Sequence, residues 1–369
     1  MADAKKRKDY LDIAKGIAML WIISVHADGA PYTGTVGYVL LIPLFFLTAG
    51  FLWKDKAAPY WSQLKKRAKP LLKPYFGYNA ALMVLYILDW LPYLGPQTRE
   101  AARQICKRIF GVFYSEGVIW MHDTTPSLHY FTSYNYPLWF LTAMVTASAA
   151  FLLLLLLRRK FGWKLRYMAP FCLLATVALN LLPLRLPWNA NNCFLAAALM
   201  AAGWGLRQSD LLERRWRRKW LEPLAYAGAA AVVLILGIWN DAMSTSMLMS
   251  AYGPHGAWGV LIYFIGGVLG PCVLLRLCRL LEGFRFSRIF LTLGQNTIPI
   301  LALHRTFITY YNRLWSSFMG PQPVLSTPQW FLFSVPRLLI AAAGSMGLIY
   351  LGRFLKKKIT VRFNRRDSI

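Results

Sequence analysis

Apolar residues run along the chain in blocks of about 20, the length needed to cross the hydrocarbon core of a bilayer as a helix. The blocks lie near 11–30, 35–53, 71–91, 138–157, 167–184, 190–206, 221–240, 257–277, 290–311 and 329–351. They predict an all-α, polytopic membrane protein of about ten transmembrane helices, an even number that leaves both termini on one side. Between the third and fourth blocks the pattern changes. Segment 92–137 holds "TREAARQICKRIFGVFYSEG", which can form an amphipathic surface helix, and then "MHDTTPSLHYFTSYNYP", rich in aromatics and hydroxyls and containing His122, Asp123 and His129. This segment reads either as a cap with Trp and Tyr at headgroup level or as a contact surface for a polar substrate.

The basic residues orient these spans. Of the 42 Lys and Arg, 33 fall in the tail 1–10 and in 54–73, 158–166, 207–219, 276–288 and 353–366. Those segments alternate as one side of a ten-span chain requires, and the positive-inside rule makes that side cytoplasmic, both termini included. The net charge of +27 therefore has a topogenic origin, and no nucleic-acid partner is expected, because the cations interrupt apolar spans instead of forming one basic face. A hydrophobic content of 57% over 369 residues exceeds what one soluble core absorbs. Membrane lipids are the expected surroundings.

Five cysteines, none in a C-x-x-C pair, argue against a disulfide framework or a zinc site, and no metal ligand set is expected. No A-x-A cleavage site follows Ala27, so the first block is expected to be a retained span. Neither an internal repeat nor a long linker is visible, so one integral domain over 1–369 is the simplest organisation.

The first block carries the chemistry. "RKDYLDIAKGIAMLWIISVHA", from Arg7 to Ala27, places Asp12 and Lys15 near one end and His26 near the other. A charged side chain at the centre of a membrane helix costs on the order of 2.5–3.5 kcal/mol, so such residues turn toward a polar interior and mark function. Eleven residues of helix separate Lys15 from His26, about 16 Å at ~1.5 Å per residue and about three turns, which puts both on the same general side. They suit two ends of one cavity. Asp12, three residues before Lys15, is placed to pair with it.

This opening resembles the acyltransferase-3 family of integral membrane acyltransferases, particularly the fucose 4-O-acetylase-like branch, in which a basic residue, ten intervening residues and a histidine mark the first helix. "PLFFLTAGFLW" (Pro43 to Trp53) is similar to the family's Phe-Phe-x-x-Gly segment, with Thr48-Ala49-Gly50 where Ser-Gly is usual. "LKKRAKPLLKPYF" (Leu64 to Phe76) is similar to its basic stretch and Pro-Tyr, "YPLWFLTAM" (Tyr136 to Met144) to its Leu-Trp-Phe-Leu segment, and "LGQNTIPILALH" (Leu293 to His304) to its late Gly-x-Asn-Ser…His segment. Five pieces in order over positions 7 to 304 make a joint signal that none makes alone. The Arg-x-x-Arg arrangement of some members is matched only approximately, by Lys66, Arg67 and Lys69, and the esterase-like domain appended to longer relatives is not expected here.

The resemblance implies transfer of an acyl group, usually acetyl from acetyl-CoA, to a hydroxyl of a cell-surface polysaccharide or lipid-linked sugar, in the cytoplasmic (inner) membrane of a bacterium. Acetyl-CoA would be a co-substrate, with no permanently bound cofactor. Its phosphates call for cations at the inner mouth, where Lys15, Lys65, Lys66, Arg67 and Lys69 fall in this topology. Orientation alone also selects such charges. His26 suits a general base, since imidazole titrates near ~6.5 and can take the acceptor hydroxyl's proton and return it to the leaving thiolate. His304 suits a second base, an oxyanion donor or an outer-end anchor. Trp139, Asn296 and Asp12 are candidate substrate-binding residues, the first two on resemblance alone. A glycan or lipid carrier without bond chemistry is the competing reading, although the paired half-sequences common in transporters are not visible.

Overall fold

The computed structural model describes residues 8–27, 33–55, 58–93, 95, 98–116, 119, 134, 136–213, 218–239, 256–323 and 328–366. The described residues form helices joined by short turns: α1 (Asp9–His26), α2 (Thr33–Phe51), α3 (Tyr60–Trp90), α4 (Thr98–Tyr114), α5 (Trp139–Phe161), α6 (Leu165–Asn180), α7 (Cys193–Gln208), α8 (Leu221–Trp239), α9 (Gly256–Leu281), α10 (Ser287–Gln295), α11 (Thr297–Phe318) and α12 (Pro328–Arg366). The protein is an all-α polytopic membrane protein. Among the described residues, five helical stretches are long and apolar enough to cross a bilayer: Tyr60–Trp90, Tyr136–Phe161, Leu221–Trp239, Gly256–Leu281 and Pro328–Lys358. Shorter apolar helices accompany them at Val39–Phe51 and Leu165–Asn180.

α1 is not among those five, because Asp9, Asp12 and Lys15 interrupt its apolar run. Its position resolves the apparent conflict between charge and membrane. α10, α2, α9, α11 and α12 all pack against it, and Tyr10, Leu11, Ile13, Ala14, Ala18 and Ile23 are buried. A helix enclosed by other helices keeps its ionisable groups off the lipid. α8 is the opposite case, with only Val233 and Gly237 buried, and it presents Leu224, Leu234, Ile235 and Ile238 outward.

Two crossings hold the centre together through glycine. A Cβ on Gly16 of α1 would run into the backbone of Phe290, and one on Gly294 of α10 into that of Asp12. At the α2–α7 crossing, Gly50 meets the backbone of Met200 and Gly203 that of Leu47 in the same reciprocal way. Small residues that let backbones touch are how helices associate in lipid, where burying apolar surface gains little.

The structure departs from the sequence expectation at three places. The single span expected over 290–311 is two helices, α10 and α11, separated at Asn296, which leaves helical geometry with φ −120° and ψ 26°. Asn296 Nδ2 donates to Thr292 O at 2.7 Å, and back-bonding of this kind weakens or bends a helix. Pro299 then sits in the first turn of α11, where a missing N–H costs nothing. The basic stretch read as a loop over 54–73 is mostly helix, since α3 begins at Tyr60 and runs through Pro70 and Pro74. α12 continues past 351 to Arg366. The amphipathic helix expected after position 97 is α4. The stretch holding His122, Asp123 and His129 lies outside the described residues.

Candidate active site

His26 ends α1, and His304 lies in the second turn of α11. The two imidazoles meet: His26 Nδ1 is 2.7 Å from His304 Nε2, and the rings are nearly parallel, at 9° with centroids 5.0 Å apart. His304 is completely buried, whereas His26 is partly accessible. The other nitrogen of His304, Nδ1, lies 2.9 Å from Ile300 O. A carbonyl only accepts, so His304 carries its proton on Nδ1 and offers a lone pair at Nε2. His26 must then donate through Nδ1, which leaves its Nε2 as the free acceptor. One backbone carbonyl thus sets the tautomers of both rings, and both nitrogens of His304 are engaged.

One turn before the histidines, α1 and α11 contribute Ile22 and Leu301 to a small apolar cavity of about 30 Å³. Met19 and Ile22 of α1, Thr297 and Leu301 of α11, and Phe45 and Phe140 from α2 and α5 form its wall. The spacing matters more than the size. Lys15, Met19, Ile22 and His26 follow at intervals of four, three and four residues, so they form one stripe along α1, and Thr297, Leu301 and His304 form its counterpart on α11. The stripe joins Lys15 at one end to the histidine pair at the other through apolar side chains.

At the Lys15 end, Lys15 Nζ is 3.2 Å from Asp12 Oδ1, and both side chains are mostly buried, at 19% and 10% exposure. Gly294 brings α10 onto the Asp12 backbone. Asn296, two residues on, accepts a hydrogen bond from Arg353 Nη2 at 2.6 Å through its Oδ1. Asp12 and Asn296 therefore belong to the Lys15 end, while Trp139 lies buried at the start of α5. Nearby, Lys8 pairs with Glu213 in the segment after α7, and Tyr10 OH also donates to Glu213, at 3.2 Å. Burial alone would raise the Glu213 carboxyl, but Lys8, Tyr10 and Arg279 hold it below the usual carboxylate range.

The remaining expected cations are not gathered around Lys15. Lys66 and Lys69 are exposed in the first turns of α3, whose main neighbours are α5 and α4, whereas those of α1 are α10, α2 and α9. Arg67 turns inward instead, its guanidinium 3.2 Å from the centre of the buried Trp53 ring, a cation–π arrangement favoured by a desolvated site.

Two arginines of α12 outside the expected site residues also reach it. Arg337, fully buried in α12, donates to the backbone oxygen of Ala27, directly after His26, and to Asn312 Oδ1 at 3.1 Å. Arg353 holds Asn296. For Arg337 the signal was available, since an arginine inside the apolar block 329–351 has the same cost in lipid as the ionisable residues of the first span, whereas Arg353 opens the basic segment 353–366 and looked like any other cation there.

With this geometry in hand, comparison with known proteins gives one match. A family model described as an acyltransferase domain, acyltransferase 3, covers residues 8–352, nearly the whole chain. No curated protein and no solved structure matches the chain.

Proposed function

Because the chain belongs to the acyltransferase-3 family and is a membrane acyltransferase, we propose that it moves an acetyl group from cytoplasmic acetyl-CoA to a hydroxyl of a cell-surface polysaccharide or lipid-linked sugar, in a bacterial inner membrane. The observation that carries this reading is the hydrogen bond from His26 Nδ1 to His304 Nε2, with His304 anchored on Ile300 O. It leaves His26 Nε2 as a proton acceptor of fixed orientation on a partly accessible ring.

The chemistry is a single displacement. The acceptor O–H gives its proton to His26 Nε2 as the oxygen attacks the thioester carbonyl; the C–S bond then breaks, and the departing sulfur takes the proton from His26. His304 acts through His26, holding its tautomer and ring plane as the orienting group of a catalytic triad does. Lys15 faces the phosphates of the donor, with Asp12 and Asn296 beside it. Arg67, Lys66 and Lys69 on α3 are further candidates for the nucleotide end.

The decisive experiment supplies purified protein with acetyl-CoA and surface glycan from cells lacking the gene. Release of free coenzyme A together with a gain of about 42 Da on the glycan, one acetyl group replacing hydrogen, is the expected result. Glycan translocated with its mass unchanged and no thiol released would instead make the protein a carrier.

A further inference from the structure

Apart from the histidine pair, α8 and α9 form a half-open cavity of about 430 Å³, within the range of ~300–1,000 Å³ typical of small-molecule sites. Its long wall is apolar, built from Ala227 and Ala230 of α8 and Val273, Leu277 and Leu280 of α9. Its head is charged. Arg276 of α9 pairs there with Glu222 at the start of α8, both side chains mostly buried at 20% and 17% exposure. Among the described residues the buried Arg276 Nε has no hydrogen-bond partner, and a buried donor left unmade is costly. An acceptor supplied by a ligand would satisfy it.

The surroundings say what that ligand is. α8 shows almost its whole surface to the outside, and its exposed Leu224, Leu234 and Ile235 mark a lipid-facing wall. The cavity lies where α8 starts and α9 ends, beside the basic segments 207–219 and 276–288. A membrane-embedded trough with an apolar length and a paired cation and anion at its head complements a zwitterionic phospholipid. The phosphate takes Arg276, whose planar fork suits it, and the headgroup cation takes Glu222. A primary ammonium can donate hydrogen bonds to that carboxylate, whereas a quaternary ammonium has no N–H to give. A purely anionic headgroup would meet Glu222 as a like charge. We propose that the α8–α9 cavity is a binding site for a phospholipid of the phosphatidylethanolamine type.

The test is native mass spectrometry of the full-length protein released from nanodiscs containing equal parts of phosphatidylethanolamine, phosphatidylcholine and phosphatidylglycerol with matched acyl chains. Wild-type protein should retain the ethanolamine lipid several-fold over the other two. Arg276→Gln should lose that retention, and Glu222→Gln should shift it toward phosphatidylglycerol, with acetyl-CoA binding as the check that each variant is folded. Equal retention of the three lipids by the wild type, preference for phosphatidylglycerol, or full retention of the ethanolamine lipid by folded Arg276→Gln would each overturn the proposal. The wild-type competition decides the matter even if neither variant folds.

Discussion

The Nδ1 atom of His26 lies 2.7 Å from the Nε2 atom of His304, a residue 278 positions further along the chain. Because Ile300 O holds the other nitrogen of His304, replacing either histidine should have a distinct effect. His26→Gln and His26→Ala should both lose acetyl transfer by about 10²–10⁴-fold, the usual cost of removing a general base, while still binding acetyl-CoA. His304→Phe keeps a ring but no acceptor for His26, and should lower kcat by about 10²-fold or more with little change in donor KM, as for other orienting groups. His304→Gln, whose amide oxygen can accept from His26 Nδ1, should recover part of that loss. Steady-state kinetics on the variants would decide, and strong turnover by His26→Gln would remove it from the base role.

The positions of most helices were readable from the apolar blocks because a lipid solvent demands long uncharged runs. His26 stood out for the same reason, as an ionisable group where such groups are costly. The partner of His26 was not readable, since a contact across 278 positions depends on how α11 sits on α1. Nor was the break at Asn296, which falls inside an otherwise apolar block. The cations of "LKKRAK" looked alike in sequence. Only the start of α3 at Tyr60 turns Arg67 onto Trp53 and leaves Lys66 and Lys69 exposed.

The glycines of two family-like segments gain a physical reason. Gly294 of "LGQNTIPILALH" and Gly50 of "FFLTAG" each touch the backbone of a neighbouring helix. Gly294→Ala should therefore push α10 off α1 and destabilise the protein by roughly 1–3 kcal/mol, the usual range for overpacking. Gly77→Ala, on an exposed face of α3 with nothing within 4 Å of its added carbon, should leave thermal unfolding in nanodiscs unchanged or slightly raised. Equal melting temperatures for the two variants would mean that the α1–α10 contact is not the limiting one.

Lys15 is paired with Asp12 at 3.2 Å, so a single substitution confounds two effects. Lys15→Ala should raise the apparent Kd for acetyl-CoA about tenfold or more, given roughly 1.5–3 kcal/mol for a charge-assisted contact. Part of that change would also follow if the substitution only left the Asp12 carboxylate buried without its cation. The double variant Lys15→Ala/Asp12→Asn separates the two. We expect it to bind acetyl-CoA as weakly as Lys15→Ala, with Lys15→Arg close to the wild type. Recovery of wild-type affinity in the double variant would reduce Lys15 to a structural partner of Asp12.

Orientation in the membrane can be read from a native residue. Cys106 is exposed on α4, whereas Cys172 and Cys278 are buried and Cys193 and Cys272 are partly so. The positive-inside pattern puts α4 on the side opposite the basic segments. An impermeant maleimide added to intact cells should therefore label the wild-type protein, and Cys106→Ser should abolish the labelling. Ser209, directly after α7 and within the basic segment 207–219, supplies the converse: Ser209→Cys in the Cys106→Ser background should react only after the membrane is permeabilised. Labelling of the Ser209 position in intact cells would invert the topology, put the Lys15 end of the α1 stripe outside, and leave a cytoplasmic thioester donor without access to its proposed site.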